Sequence, residues 1–354
     1  MLRLVPVLLA AAAFAAGCAA LPDRADVAGV RSFYLQEVGD PECAVATECE
    51  IAGDPHRIFR IASLGKLYVH LALRRMERDG RLDLDMSVQS ALRTVLPPEY
   101  GSVLLRDLLM GRSGLPRDFL NPWNPCAWHK AFMSGLFGYH IYSDFDTRED
   151  FEEWLSCWRT LSHVRSREPQ YSNVGFALLV MCVESATGKS IDRILRDELV
   201  VPLGLEDTSF CPVGEATDRL SPACAGKLPW LFRRGAHVPE NRLGPALRGM
   251  GSVFSSVSDC VKVFREYWQV IDEELVLRPI DADRDGWSCG LLNVKTLHGG
   301  RRILYRFGMI YGGSSFVAFE PSSRRILVIL RNVTSWPASE DFELSARHFD
   351  DSSR

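Results

Sequence analysis

Positive charge is not in excess: 41 Lys and Arg stand against 45 Asp and Glu, a net charge of −4 over 354 residues. A chain without a basic surplus has little with which to hold a polyanion, so nucleic acid is not expected as a partner. Long apolar runs are missing. The N-terminal run, Leu4 to Ala16, falls short of the roughly 20 residues a helix needs to cross a ~30 Å hydrocarbon core. Repeats and low-complexity tracts are absent, and 47% hydrophobic against 24% charged residues is a globular balance that excludes intrinsic disorder. Metal-ligand spacings are absent too. The ten cysteines make no CxxC and the eight histidines no HExxH, so neither a metal nor another cofactor is expected. A calcium-loop imitation at Asp281–Gly286 has Leu292 where the twelfth-position Glu belongs, and reads as a turn. No GxSxG elbow occurs, which excludes the α/β-hydrolase arrangement. Lysine is scarce, six residues against 35 arginines, so the place of each lysine carries information.

What is present begins with an export signal. Arg3, the 13-residue apolar run and the small residues before Cys18 describe a secretory leader. Ala15-Ala16-Gly17-Cys18 resembles the bacterial lipobox. The resemblance implies cleavage after residue 17, a lipid on Cys18 that anchors the chain to the envelope membrane (the outer membrane, facing the periplasm), and a tether over 18–30. The alternative is plain cleavage near Ala20. An oxidising compartment favours disulfides, and the pairs expected are Cys43–Cys49, Cys126–Cys157 and Cys211–Cys224, each flanking a loop-like stretch. Cys182, Cys260 and Cys289 sit in apolar periodic segments and read as buried thiols.

Periodicity gives strand-like sequence over 32–62, then helices over about 64–79, 103–110, 147–159, 174–187, 190–199 and 252–270. Pro202-Leu203-Gly204-Leu205 is expected to break the fifth of these and Ser258 to cap the sixth. From Trp287 onward the pattern turns to strands, with His298-Gly299-Gly300 as a hairpin turn. An aromatic-, Pro- and Gly-rich stretch, 117–147, reads as an insertion or lid. Strands at both ends and helices between them suggest an α/β (α+β) body, 31–333. Its α/β part comes from about 31–80 and 250–333, its helical part from about 81–249, and 334–354 is left as a tail.

Two short constellations carry chemistry. Ser63-Leu64-Gly65-Lys66 puts a hydroxyl and an amine three apart, on one face of a helix start. A serine needs a neighbouring base, and lysine serves once burial or a nearby cation lowers its pKa. The pair alone is weak, because 30 serines and six lysines give about 0.5 such spacings by chance. Its bland reading is a capping serine beside a solvated lysine. Tyr171-Ser172-Asn173 is rarer, about 0.15 by chance. A phenol drawn toward ionisation can exchange protons with a serine and a leaving group, while an asparagine amide can orient a carbonyl. Its bland reading is an aromatic packed at a helix entry.

The segment Phe59-Arg60-Ile61-Ala62-Ser63-Leu64-Gly65-Lys66 resembles the nucleophile region of the serine β-lactamase-like family, which takes in class C β-lactamases, penicillin-binding D-alanyl-D-alanine peptidases and related esterases. Arg106 to Pro116, Gln170 to Phe210, and Gly249-Met250-Gly251-Ser252 into Asp259 are similar to the family's next segments, in order, over roughly 58–333. The resemblance implies an antiparallel sheet flanked by helices, with a helical domain inserted. It implies Ser63 as acylated nucleophile, Lys66 as its partner, Tyr171 as general base and acid, and Asn173 as a substrate or lysine contact. In the family's third motif this chain has Arg306-Phe307-Gly308. Arg306 keeps a cation there, able to hold a substrate carboxylate or to acidify Tyr171. Phe307 removes a hydroxyl, and Gly308-Met309 would border the site, with the Met309 N–H as second oxyanion donor. The expected substrate is a small molecule or cell-wall peptide with an amide or ester bond. The rivals are an esterase or small-amide hydrolase, and an inactive envelope binding protein that keeps the cleft. Oligomeric state is not legible in the sequence.

Overall fold

The computed structural model describes residues 33–38, 47–49, 55–92, 102–118, 147, 149, 151, 170–210, 215–221, 245–277, 286–289, 291–298, 300–310, 313–332 and 339–349. The leader, Cys18, the stretch 119–146 and at least one member of each expected disulfide pair lie outside them.

Seven strands form one antiparallel sheet in the order β2-β1-β9-β8-β7-β6-β5. They are β1 (Phe33–Val38), β2 (Thr47–Cys49), β5 (Gly286–Cys289), β6 (Leu292–Thr296), β7 (Arg302–Ile310), β8 (Gly313–Glu320) and β9 (Arg325–Arg331). N-terminal β1 pairs with C-terminal β9 from Phe33↔Arg331 to Val38↔Ile326, so the two ends of the chain do build one body. β3 (Phe59–Arg60) and β4 (Phe254–Ser255) make a separate two-stranded ribbon. Every residue of β8 is buried, as a central strand covered on both faces requires.

The helices are α1 (Gly65–Arg78), α2 (Val88–Leu92), α3 (Leu105–Leu109), α4 (Asn173–Thr187), α5 (Ile191–Leu195), α6 (Glu215–Asp218), α7 (Val257–Leu277) and α8 (Ser339–Phe349). α1 and α7 share the large core with one face of the sheet, where Phe264, Tyr267 and Trp268 of α7 meet Phe319 of β8. α4 is apolar all round because it lies at the centre of the helical part: Val174 through Val183 are all buried. Ser172 caps it, its hydroxyl accepting from Gly175 N at 2.8 Å, and Gly188 ends it in the left-handed region at φ 67°.

The helix that opens with α5 runs on through a π turn, Arg196–Val200, into a last turn, Val201–Leu203, and Pro202-Leu203-Gly204-Leu205 breaks it as expected, with Gly204 ending it at φ 59°. Two expectations are corrected. Ser256, not Ser258, caps α7, accepting from Asp259 N at 3.2 Å. The last segment is not a tail. α8 covers the far face of the sheet, with Phe349 buried among Ile303, Phe316, Leu327 and Ile329. Cys182 and Cys260 are buried thiols, as expected.

Candidate active site

The site forms where α1 begins. Ser63 lies on a single 3-10 turn, Ala62–Leu64, that leads directly into α1. Ala62 adopts φ 47°, a left-handed conformation that is unusual for alanine. Two glycines let other backbone press on this turn. A Cβ on Gly251, whose φ is +147°, would lie 2.8 Å from the carbonyl carbon and oxygen of Ala62. One on Gly308 would lie 2.6 Å from Ile61 O and 2.8 Å from Ser63 N. β7 therefore runs alongside the N–H of Ser63, and Ser315 of the adjoining β8 ties the same turn down by donating to Ile61 O at 2.7 Å. The strain at Ala62 is held by contacts from both sides.

The structure brings Ser63, Lys66 and Tyr171 together. Ser63 Oγ and the Tyr171 hydroxyl are 2.9 Å apart. Lys66 Nζ donates to Ser63 Oγ at 3.3 Å and to the Met250 carbonyl, and lies 5.2 Å from the centre of the Tyr171 ring. Lys66 is completely buried, and that desolvation holds its pKa below the lysine range, although the nearby phenol works in the other direction. Burial opposes ionisation of Tyr171, but the charges of Lys66 and Arg306 outweigh it and hold the phenol below its ordinary value. An amine that gives up its proton more readily and a phenol that does the same, both against one serine hydroxyl, form a proton-accepting pair for that hydroxyl.

The other expected residues fall as follows. Asn173, the first residue of α4, accepts from the Tyr171 hydroxyl through Oδ1 at 2.7 Å and donates through Nδ2 to Asp118 at 3.3 Å. The Arg306 guanidinium lies against the Tyr171 ring, Cζ 4.4 Å from the ring centre, and donates to Leu291 O at 3.0 Å. It is 4% exposed, so the guanidinium lies under Tyr171 and not in the open cleft. Gly308 and Met309 pair with Ser315 and Ser314 on the strand that borders Ser63. Phe307 is turned to the second core, under α8.

Sequence reading missed four contributors. Met250 offers a backbone carbonyl to Lys66, and a carbonyl leaves no trace in residue identity. Gly251 signals its role only as a glycine between Met250 and Ser252. Arg117 and Asp118 follow Pro116 on the turn after α3. That turn is fixed to the Tyr171 segment by Gln170 N to Gly111 O at 2.7 Å, Ser172 Oγ to Pro116 O at 2.5 Å and Asn173 N to Arg117 O at 2.8 Å.

Comparison with known proteins bears on this arrangement. A family model described as Beta-lactamase matches residues 47–349. The chain is 27% identical over 230 residues to the D-alanyl-D-alanine-carboxypeptidase/endopeptidase AmpH of Escherichia coli (strain K12), covering 64% of this chain and 52% of that one. The chain thus spans about half the length of that curated relative. Among solved structures, the class C beta lactamase from Rhodobacter sphaeroides superposes with a TM-score of 0.68 at 15% identity, over 90% of this chain and 93% of the other. The D-amino acid amidase from Ochrobactrum anthropi SV3 gives 0.65 at 19%, over 92% and 95%. At these identities the likeness is one of fold, and the fold is an antiparallel sheet flanked by helices with a helical part between its halves.

Proposed function

The chain belongs to the β-lactamase family, and from that premise we propose that it is a serine hydrolase working through an acyl-enzyme on Ser63. The observation that carries this reading is the 2.9 Å contact between Ser63 Oγ and the Tyr171 hydroxyl, with Lys66 Nζ on the same serine. In the forward step Ser63 Oγ bonds to the carbonyl carbon of an amide or ester, and its proton passes to the Tyr171–Lys66 pair. The oxyanion is assigned to the N–H groups of Ser63 and Met309, the latter following Gly308, whose close approach puts that strand against Ser63 N. Collapse breaks the bond to the leaving amine or alcohol, which takes the proton from Tyr171. Water then attacks the ester and the same pair serves again. Asn173 orients the phenol by accepting its hydroxyl, and Arg306 acts as the buried cation that favours phenolate.

A cell-wall peptide or a β-lactam is the preferred substrate class, in keeping with the activity named for the Escherichia coli relative. Phe307, which stands without a hydroxyl in the third motif, packs against the smaller core under α8. Labelling with a fluorophosphonate and with a penicillin, followed by peptide mass mapping, tests the proposal. An adduct on Ser63 that disappears in Ser63→Ala supports it; a folded wild-type protein that reacts with neither reagent is the inactive binder instead. Turnover of short p-nitrophenyl esters but not of D-Ala-D-Ala peptides assigns the esterase. An envelope location is proposed on the strength of the leader and Cys18 alone; palmitate labelling of the expressed protein, lost in Cys18→Ala, is its test.

A further inference from the structure

Three cations lie against the ring of Tyr171, and two of them are closed off. Lys66 is 0% and Arg306 4% exposed, and both are engaged with groups of the protein. The third, Arg117, has its Cζ 5.6 Å from the ring centre and is exposed. Its backbone is nevertheless fixed, because Arg117 O accepts from Asn173 N at 2.8 Å and the preceding Pro116 O accepts from Ser172 Oγ at 2.5 Å. The guanidinium is thus rooted in the same hydrogen-bonded unit as the phenol. Among the described residues no carboxylate forms an ion pair with it; its neighbour Asp118 accepts from Asn173 Nδ2 instead.

We propose that Arg117 is the specificity-determining residue of this site, binding a free carboxylate of the substrate close to the scissile bond. The inference rests on the acyl-enzyme reading for the reaction, but names the substrate class by its charge. A planar guanidinium matches a carboxylate with two parallel N–H···O bonds, which a neutral carboxamide cannot reproduce. Arg306 is the other candidate for that role. It is buried, with its guanidinium against the Tyr171 ring and donating to the Leu291 carbonyl, whereas Arg117 is exposed. The division of labour is therefore spatial: the buried arginine serves the phenol and the exposed one serves the substrate.

The test separates recognition from turnover by working in Ser63→Ala protein. Calorimetric titration compares an N-acyl dipeptide bearing a C-terminal carboxylate with the same dipeptide as its C-terminal amide. The acid is expected to bind about tenfold or more tightly, the equivalent of one charge-assisted contact. In Ser63→Ala/Arg117→Gln the ratio of the two affinities should fall to about one, and Arg117→Lys should restore part of it. Equal affinity for acid and amide in Ser63→Ala, an unchanged ratio in the double variant, or no binding of either dipeptide each overturns the proposal. Fluorophosphonate labelling of the wild type reports on the acyl-enzyme reading separately. Labelling without acid–amide discrimination sinks the role of Arg117 alone. Discrimination without labelling sinks the serine chemistry and leaves the recognition standing.

Discussion

The two ends of α1 treat charge in opposite ways. At the C-terminal end Arg74, Arg75 and Arg78, with Arg81 just beyond, each meet a carboxylate: Glu77 and Glu273, Glu266, Glu273, and Asp79 with Glu198. Most of these groups keep contact with water, so each pair contributes little and salt screens it. At the N-terminal end Lys66 is sealed from water and accompanied by a serine, a carbonyl and two aromatic rings, those of Tyr171 and Phe176. A buried ammonium whose partners are neutral can relieve its desolvation by losing its proton. One helix therefore carries charge that is neutralised and inert at one end, and charge made reactive by isolation at the other.

The sharpest way to break the comparison is to remove one cation from each end. Lys66→Ala should lower kcat/KM by about 10³-fold, within the range for losing a general base, while Arg75→Ala should leave it within about twofold, as surface pairs do. The pH dependence follows the same logic. The Tyr171–Lys66 pair must have lost one proton before it can accept that of Ser63, so activity rises with pH and then levels. Both groups are held below their ordinary values, so the rise belongs to the pair and lies below the usual tyrosine and lysine range. Arg306→Gln removes one of the charges that lower Tyr171, and the rise should move to higher pH. A pH profile of kcat/KM on one substrate measures both; a rise that stays in place on loss of Arg306 removes that residue from the phenol's electrostatics.

A second test acts on the backbone that makes the inner end possible. Gly251→Ala meets the Ala62 carbonyl at 2.8 Å from a backbone at φ +147°. The strain should cost about 1–3 kcal/mol of stability, and acylation of Ser63 should slow more than the melting temperature alone explains. Rates of fluorophosphonate labelling, compared with thermal unfolding of the same variant, check it. Unaltered labelling would show that Ala62 does not need its present conformation.

These residues also mark how far the sequence could be read. Ser63 and Lys66 were legible because helical spacing places residues three apart on one face. Tyr171 and Asn173 were legible because their motif is rare. Arg306 could be identified as a cation, but its two possible roles differ only in which way the guanidinium lies, and its contacts with the Leu291 carbonyl and the Tyr171 ring leave no trace in the sequence. Met250 acts through a carbonyl and Gly251 through the space it leaves, neither of which composition or period records. α8 escaped because its apolar residues, Phe342, Ala346 and Phe349 among them, are interspersed with Ser, Glu and Asp residues that read as solvated. The strand-bearing ends and helical middle were clear because periods of 2 and 3.6 are long-range signals, whereas caps such as Ser256 against Ser258 depend on one hydrogen bond.

Between the two ends of α1, one turn past Lys66, lies His70, fully buried with Nδ1 2.8 Å from the Tyr267 hydroxyl. Burial, aided by the charge of Arg74, lowers its pKa to about 3. The folded protein thus keeps His70 neutral while the unfolded chain protonates it near 6.5. The stability this contributes is fully present above about pH 6.5 and is lost as pH falls toward 3, at no more than about 1.4 kcal/mol per pH unit for one proton. Urea unfolding of the wild type and of His70→Asn between pH 7 and 4 should give a shallower decline for the variant, which has no imidazole to protonate. Parallel curves would mean that His70 is not the group linking acid to unfolding.

The smallest effect belongs at the outer end, and it sharpens the comparison by its size. Arg78 pairs with Glu273 at 2.9 Å, with side-chain exposures of 48% and 37%. Glu273 also holds Arg74 at 2.5 Å, so removing Arg78 leaves the carboxylate partnered. Arg78→Ala should therefore cost under about 1 kcal/mol, a melting shift of no more than a few degrees for a domain this size, on the order of 3 °C. The shift should shrink further at high salt, because both groups are open to counterions. Differential scanning calorimetry at low and high ionic strength measures it. A larger loss that persists in salt would place Arg78 with Lys66, among charges the fold keeps from water, and the contrast between the two ends of α1 would no longer hold.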